Sequence, residues 1–231
     1  MKNKLINFAL LILMAAACVP QPLANEGEVP PVETGQVLDA VEESVVKQLS
    51  GNLGLQEGDI SVVSNEEAEF SDACLGVVIG DVSCAQVITP GRIIMLEANG
   101  FQYEYHTSAD GDQIQPATLA LTWKREGGIA GFCDNLTVFR SGEVYGNQCR
   151  PGSDETVNNF ATLLSASEQK QFSGWMMKFG QVTLDASDPK GVSDRMEVTL
   201  VLSGMGTSKP GKAEQQAMFT WAQDLFQKLY S

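Results

Sequence analysis

The chain has 231 residues with 15 basic and 29 acidic side chains, a formal net charge of −14. Such a balance disfavours nucleic acid and anionic lipid headgroups as partners. The acidic residues are scattered as Glu42/Glu43, Glu66/Glu67 and Asp154/Glu155, without the Asp-x-Asp-x-Asp-Gly spacing of a calcium loop, so a solvated acidic surface is the reading.

At the N-terminus Lys2 and Lys4 precede an apolar run from Leu5 to Ala16, and Ala15-Ala16-Ala17 leads into Cys18. A charged region, a short apolar region and small residues form an export signal, too short for an ordinary membrane-spanning helix. With a cysteine directly after the small residues, the segment resembles the lipobox of bacterial lipoproteins, although Ala15 stands where Leu is typical. The resemblance implies cleavage before Cys18 and acylation of its thiol and new amino terminus. The chain is therefore expected at the cell envelope, outside the cytoplasm, lipid-anchored to a membrane. The signal, residues 1–17, holds two basic residues and no acidic one, so what remains carries thirteen basic against twenty-nine acidic groups, a charge of −16.

Residues 18–35 read as a tether. Pro20, Pro22, Pro30 and Pro31 remove amide donors, and little apolar surface is present to bury. About 195 residues remain, enough for one large or two small cores.

Residues 36–115 read as a helix followed by an antiparallel meander. Leu38, Val41, Val45 and Leu49 recur at helical spacing, and Gly51 and Gly54 end the helix. Strand signals follow at 59–64, 68–70, 92–97 and 101–106, with Asn99-Gly100 as the hairpin turn between the last two. This order resembles PepSY-like or cystatin-like units, which implies a helix laid over a sheet and no particular activity.

Residues 116–231 read as a second antiparallel sheet with two helices. Thr118–Arg125 is a strand broken by Gly127–Gly131, and Leu136–Phe139 pairs with Glu143–Gly146 across Arg140-Ser141-Gly142. Ser165-Ala166-Ser167-Glu168 is a capping box that opens a helix with Phe172, Trp175, Met176 and Phe179 on one face. A strand over 194–203, a flexible loop from Gly204 to Gly211 and a helix with Met218, Trp221, Leu225 and Leu229 inward close the chain. The fold class is thus α+β, two small subdomains each built on an antiparallel sheet, after a signal peptide and a disordered tether.

Four further cysteines, Cys74, Cys84, Cys133 and Cys149, suit disulfides in an exported chain. Sequence leaves three pairings open; local pairing of Cys74 with Cys84 and Cys133 with Cys149 is the simplest, each worth about 3 kcal/mol by loop entropy. Spacings of ten and sixteen residues do not suit a zinc site.

Little points to catalysis. His106 is the only histidine, with no second histidine for a metal or relay, and is read as a strand-end or hydrogen-bonded structural residue. No Gly-x-Ser-x-Gly elbow is present. No enzyme activity, metal or cofactor is expected. Gly127-Gly128-Ile129-Ala130-Gly131-Phe132 lacks the Gly-Lys-Ser/Thr of a phosphate loop, and its glycines permit positive φ or close approach of another surface. From Trp123 to Phe132 the segment resembles the Arg-x-Gly-Gly-Phe-x-Gly opening of emfourin-like inhibitors of thermolysin-type metalloproteases, with Ile129 in place of the aromatic residue and Cys133 and Cys149 as departures. That implies a loop which enters or covers a protease cleft.

Two stretches also resemble a pattern in uncharacterised bacterial lipoproteins. One runs from Phe70-Ser71-Asp72-Ala73-Cys74-Leu75-Gly76 through Cys84 and Gly91 to Tyr103–Thr107, and the other is Gly127–Asp134. The expectation is a membrane-anchored lipoprotein with a non-catalytic binding or structural role, its partner an envelope protein or protease, contacted through Gly127–Phe132.

Overall fold

Helix α1 (Ala40–Leu53) starts where Asp39 accepts from the amides of Val41 and Glu42, both at 2.9 Å, while the Glu42 carboxylate accepts from the Asp39 amide. It ends where Gly54 turns left-handed. A computed structural model of the chain describes residues 37–79, 82–148 and 158–230. The signal peptide, Cys18, the tether and Cys149 lie outside the described residues. No helix among the described residues is long and apolar enough to cross a membrane.

Strands β1 (Ser61–Phe70), β2 (Thr89–Ala98), β3 (Phe101–Ser108) and β4 (Ile114–Pro116) form a four-stranded antiparallel sheet in that order. The β2–β3 turn uses Asn99 and Gly100 at positive φ, as their pairing predicts. The inward face of α1, Val41, Val45, Val46 and Leu49, shares a core with Ile94, Leu96, Tyr103 and Tyr105.

The second sheet has six antiparallel strands in the order β8-β7-β6-β5-β10-β9. These are β5 (Leu119–Gly127), β6 (Phe132–Phe139), β7 (Glu143–Gln148), β8 (Asn158–Leu163), β9 (Gln181–Asp185) and β10 (Met196–Ser203). Helices α2 (Ala166–Lys178) and α3 (Lys212–Leu229) pack against it. The Ser165–Glu168 capping box forms as read. Phe172 and Trp221 stack at 5.7 Å between the helices, and Trp123 of β5 meets Phe226 of α3 at 5.4 Å. Gly146 lets α3 lie close on β7: a Cβ there would come within 2.5 Å of Leu229.

Residues 38–231 make one compact unit, and one hydrophobic core runs through both sheets. Three differences from the sequence reading stand out. β4, β8 and β9 are additional strands. Ser61–Phe70 is one strand rather than two signals, with a bulge between Val62 and Ser64. The segment read as flexible, Gly204–Gly211, is tied to the end of α2. There the amides of Met205, Gly206 and Ser208 donate to the carbonyls of Met176, Phe179 and Lys178 at 2.8–3.2 Å. Its first part is held by backbone bonds alone, and its end by the Glu214 and Gln215 side chains on Gly211 and Pro210, so the composition of the segment itself reads as loose.

The loop between β1 and β2 joins the sheets. A disulfide links Cys74 to Cys84, with Cα atoms 5.7 Å apart. Asp72 caps the loop by accepting from the amides of Cys74 and Gly76 at 2.9 and 3.1 Å. Leu75 is fully buried, and Val77 and Ile79 pack on Phe139 of β6. Cys133 is also disulfide-bonded.

Candidate functional site

Glycines at 127, 128 and 131 take φ of 85°, 69° and 62°, which turns the chain through Gly128–Gly131 between β5 and β6. The Gly131 amide donates to the Gly128 carbonyl at 3.0 Å, closing the turn. Below it the Gly128 amide donates to the Arg195 carbonyl at 3.1 Å, and Gly127 pairs with Met196 of β10. The sharp turn and the neighbouring strand together fix the base.

The next layer is ionic and aromatic. Register sets Arg125 opposite Asp134 and Gly127 opposite Phe132. The Arg125 guanidinium donates through Nε (2.8 Å) and Nη2 (2.5 Å) to Asp134 Oδ2. It also lies 4.0 Å from the Phe132 ring and 5.6 Å from that of Trp123, both within cation–π range. Asp134 is 1 % exposed, so removing Arg125 would strand a buried charge. Tyr230 at the end of α3 is pushed up to about 12, first by burial and then by Asp134, which keeps its hydroxyl protonated.

On this pedestal Ile129 is 90 % exposed. The candidate residues Gly127, Gly128, Ile129, Ala130, Gly131 and Phe132 therefore form one hydrogen-bonded hairpin tip with an aliphatic side chain at its summit. Arg125 opens the Arg-x-Gly-Gly motif and Asp134 closes the Gly127–Asp134 stretch, but sequence reasoning gave neither a role and missed Arg195 and Met196; Trp123-x-Arg125 and Phe132-x-Asp134 put Trp123, Arg125, Phe132 and Asp134 on one face once the turn length is known.

The two cysteine predictions fall in different places. Cys74 and Cys84 close the β1–β2 loop, while Cys133 sits beside the tip on β6. The Asp72, Cys74 and Cys84 ligand atoms lie within 4.8 Å of one another, but the two sulfurs are bonded to each other.

Residues 42–116 match a family described as a domain of unknown function, DUF8738. That match ends on the last residue of β4, so it spans most of α1 and the whole first sheet and excludes the hairpin tip. No curated protein and no solved structure matches the chain.

Two other polar centres are structural in geometry. His106 has Nδ1 2.7 Å from the Leu75 carbonyl and Nε2 2.8 Å from Glu104 Oε1, with its ring stacked on Phe70 at 4.8 Å. Both nitrogens are engaged, and the histidine pins the disulfide loop to β3. Glu143, 7 % exposed at the start of β7, collects four donors on its carboxylate. Oε1 accepts from Gln48 (3.3 Å), Asn52 (2.5 Å) and the Tyr105 hydroxyl (3.3 Å), and Oε2 accepts from Ser141. Burial, and then the Glu143 charge, hold the Tyr105 hydroxyl well above the usual phenol range, so it serves as a donor.

Proposed function

We propose that this chain is a non-catalytic lipoprotein, anchored at the cell envelope through Cys18, that binds a protein partner with the Gly127–Phe132 hairpin tip. The observation that carries the binding role is Ile129, a large aliphatic side chain left 90 % exposed on a tip whose base is fixed by Arg125, Asp134 and the Arg195 carbonyl. A small, rigid apolar projection gains its energy only when a complementary recess covers it. The engaged nitrogens of His106 and the donor-saturated carboxylate of Glu143 support a role in contact rather than chemistry.

A photo-crosslinking residue placed at Ala130 in the membrane-anchored protein tests the tip. The expected result is a discrete protein adduct that disappears with Ile129→Asp, a change that leaves Arg125–Asp134 in place. No adduct, or one indifferent to Ile129→Asp, would sink the tip as the binding face.

The anchor is tested separately by mass spectrometry of the mature protein, whose N-terminal residue should be Cys18 carrying acyl chains. An unmodified start elsewhere would refute lipidation and leave the tip untouched.

The projecting shape of the tip favours one specific second reading, inhibition of an extracytoplasmic metalloprotease with Ile129 seated in its cleft. Assay of a thermolysin-type enzyme at micromolar inhibitor decides it. Inhibition abolished by Ile129→Asp supports it, and undiminished proteolysis removes it.

A further inference from the structure

The sheets are bounded by four edge strands of very different length. β4 has three residues and ends on Pro116, β9 has five and β8 has six, whereas β1 has ten. Short edges and proline limit strand addition. β1 lacks both protections. Its bulge between Val62 and Ser64 disturbs only the first half; from Ser64 to Phe70 it pairs with β2 residue for residue. Among the described residues no strand lies on its other side.

At Glu66 and Glu67 this half is exposed on both faces, although Phe70 is buried and Asn65 donates to Glu42 of α1. A strand packed on one side buries alternate residues, yet Asn65, Glu66 and Glu67 are exposed in succession. A groove of about 500 Å³ lies over β1 and β2 rather than along the free edge, with Ala68, Pro90, Gly91 and Ala109 as small lining residues and Glu67, Glu69 and Arg92 as the charged ones. Glu67 and Glu69 share a face, about 7 Å apart along the strand. Arg92 is ion-paired to Asp39 at 2.5 Å, and neither Glu67 nor Glu69 has an ion-pair partner among the described residues. Register sets Arg92 opposite Glu67 and Pro90 opposite Glu69, so two carboxylates face one cation already paired to Asp39, and the sheet keeps a net negative charge next to the free edge of β1.

We infer that β1 between Asn65 and Phe70 accepts an extended, lysine- or arginine-bearing segment of a partner protein by strand addition, with a basic side chain between Glu67 and Glu69. Main-chain bonds supply affinity in this mode, and alternate side chains supply selection. A second copy of the chain does not suit the site, because antiparallel self-pairing would set Glu66, Glu67 and Glu69 against one another. The site is separate from the hairpin tip and stands without it.

The test titrates the full chain at 0.15 M salt, about the physiological value, with a capped hexapeptide of alternating lysine and valine. Saturable binding is expected, with slowed amide exchange confined to Asn65–Phe70. Glu67→Lys/Glu69→Lys should weaken it at least tenfold, whereas Glu57→Lys/Asp224→Lys, equal in charge and remote, should not. Two further peptides carry N-methyl groups on the lysine or on the valine nitrogens; one set must face β1, and that peptide should not bind. No saturable binding, equal binding of both methylated peptides, or equal loss with the remote pair would each overturn strand addition.

Discussion

Glu143→Ala is expected to destabilise the fold by about 2–4 kcal/mol, read as a lowered midpoint in urea unfolding with an unchanged slope. The carboxylate is the shared acceptor of Gln48, Asn52, Tyr105 and Ser141. Gln48 and Asn52 are partly exposed and can turn to water, but Tyr105 and Ser141 are buried and cannot. Those two unsatisfied donors carry most of the loss. Tyr105→Phe removes one donor and leaves the acceptor served, so its cost should be about 1 kcal/mol. Glu143→Gln should fall between the two, since its amide group would face donors with donors. A loss under about 1 kcal/mol for Glu143→Ala would mean that water reaches the cluster and the network is incidental.

The second large effect concerns the β1–β2 loop. Cys74→Ser/Cys84→Ser should cost about 3 kcal/mol, because the bond closes a ten-residue separation in the unfolded chain. The damage should also be local. Leu75, Val77 and Ile79 ride on this loop, and the Leu75 carbonyl is what His106 holds at 2.7 Å. Hydrogen exchange should therefore quicken from Ser71 to Ile79 and at His106 while α3 keeps its protection. Unchanged stability, or a uniform rise in exchange across both sheets, would contradict this account.

Helix α1 and the Asn99-Gly100 hairpin could be read from sequence because each is specified locally, by apolar spacing in one and by positive φ in the other. β4, β8 and β9 could not. They are three to six residues long, and such segments carry too few side chains to display an alternation. The glycine tip was visible, yet what stiffens it was not. Arg125 meets Asp134 only because the turn occupies four residues, and a register one residue off would point the pair to opposite faces. Glu143 shows the same limit more strongly. As a hairpin residue next to Ser141-Gly142 it carries no local mark of burial, and its donors Gln48 and Asn52 arrive from 95 and 91 residues away.

The pedestal beneath Ile129 bears on the entropy of association. A four-residue tip that became ordered only on contact would lose about 1–2 kcal/mol of backbone freedom per residue at that moment. Here the Gly131–Gly128 bond, the Arg195 carbonyl and the Arg125–Asp134 pair impose that order during folding. If the tip is the binding face, as proposed, encounter needs no rearrangement of it, and its residence time on a partner is governed by what encloses Ile129 rather than by the cost of shaping the hairpin.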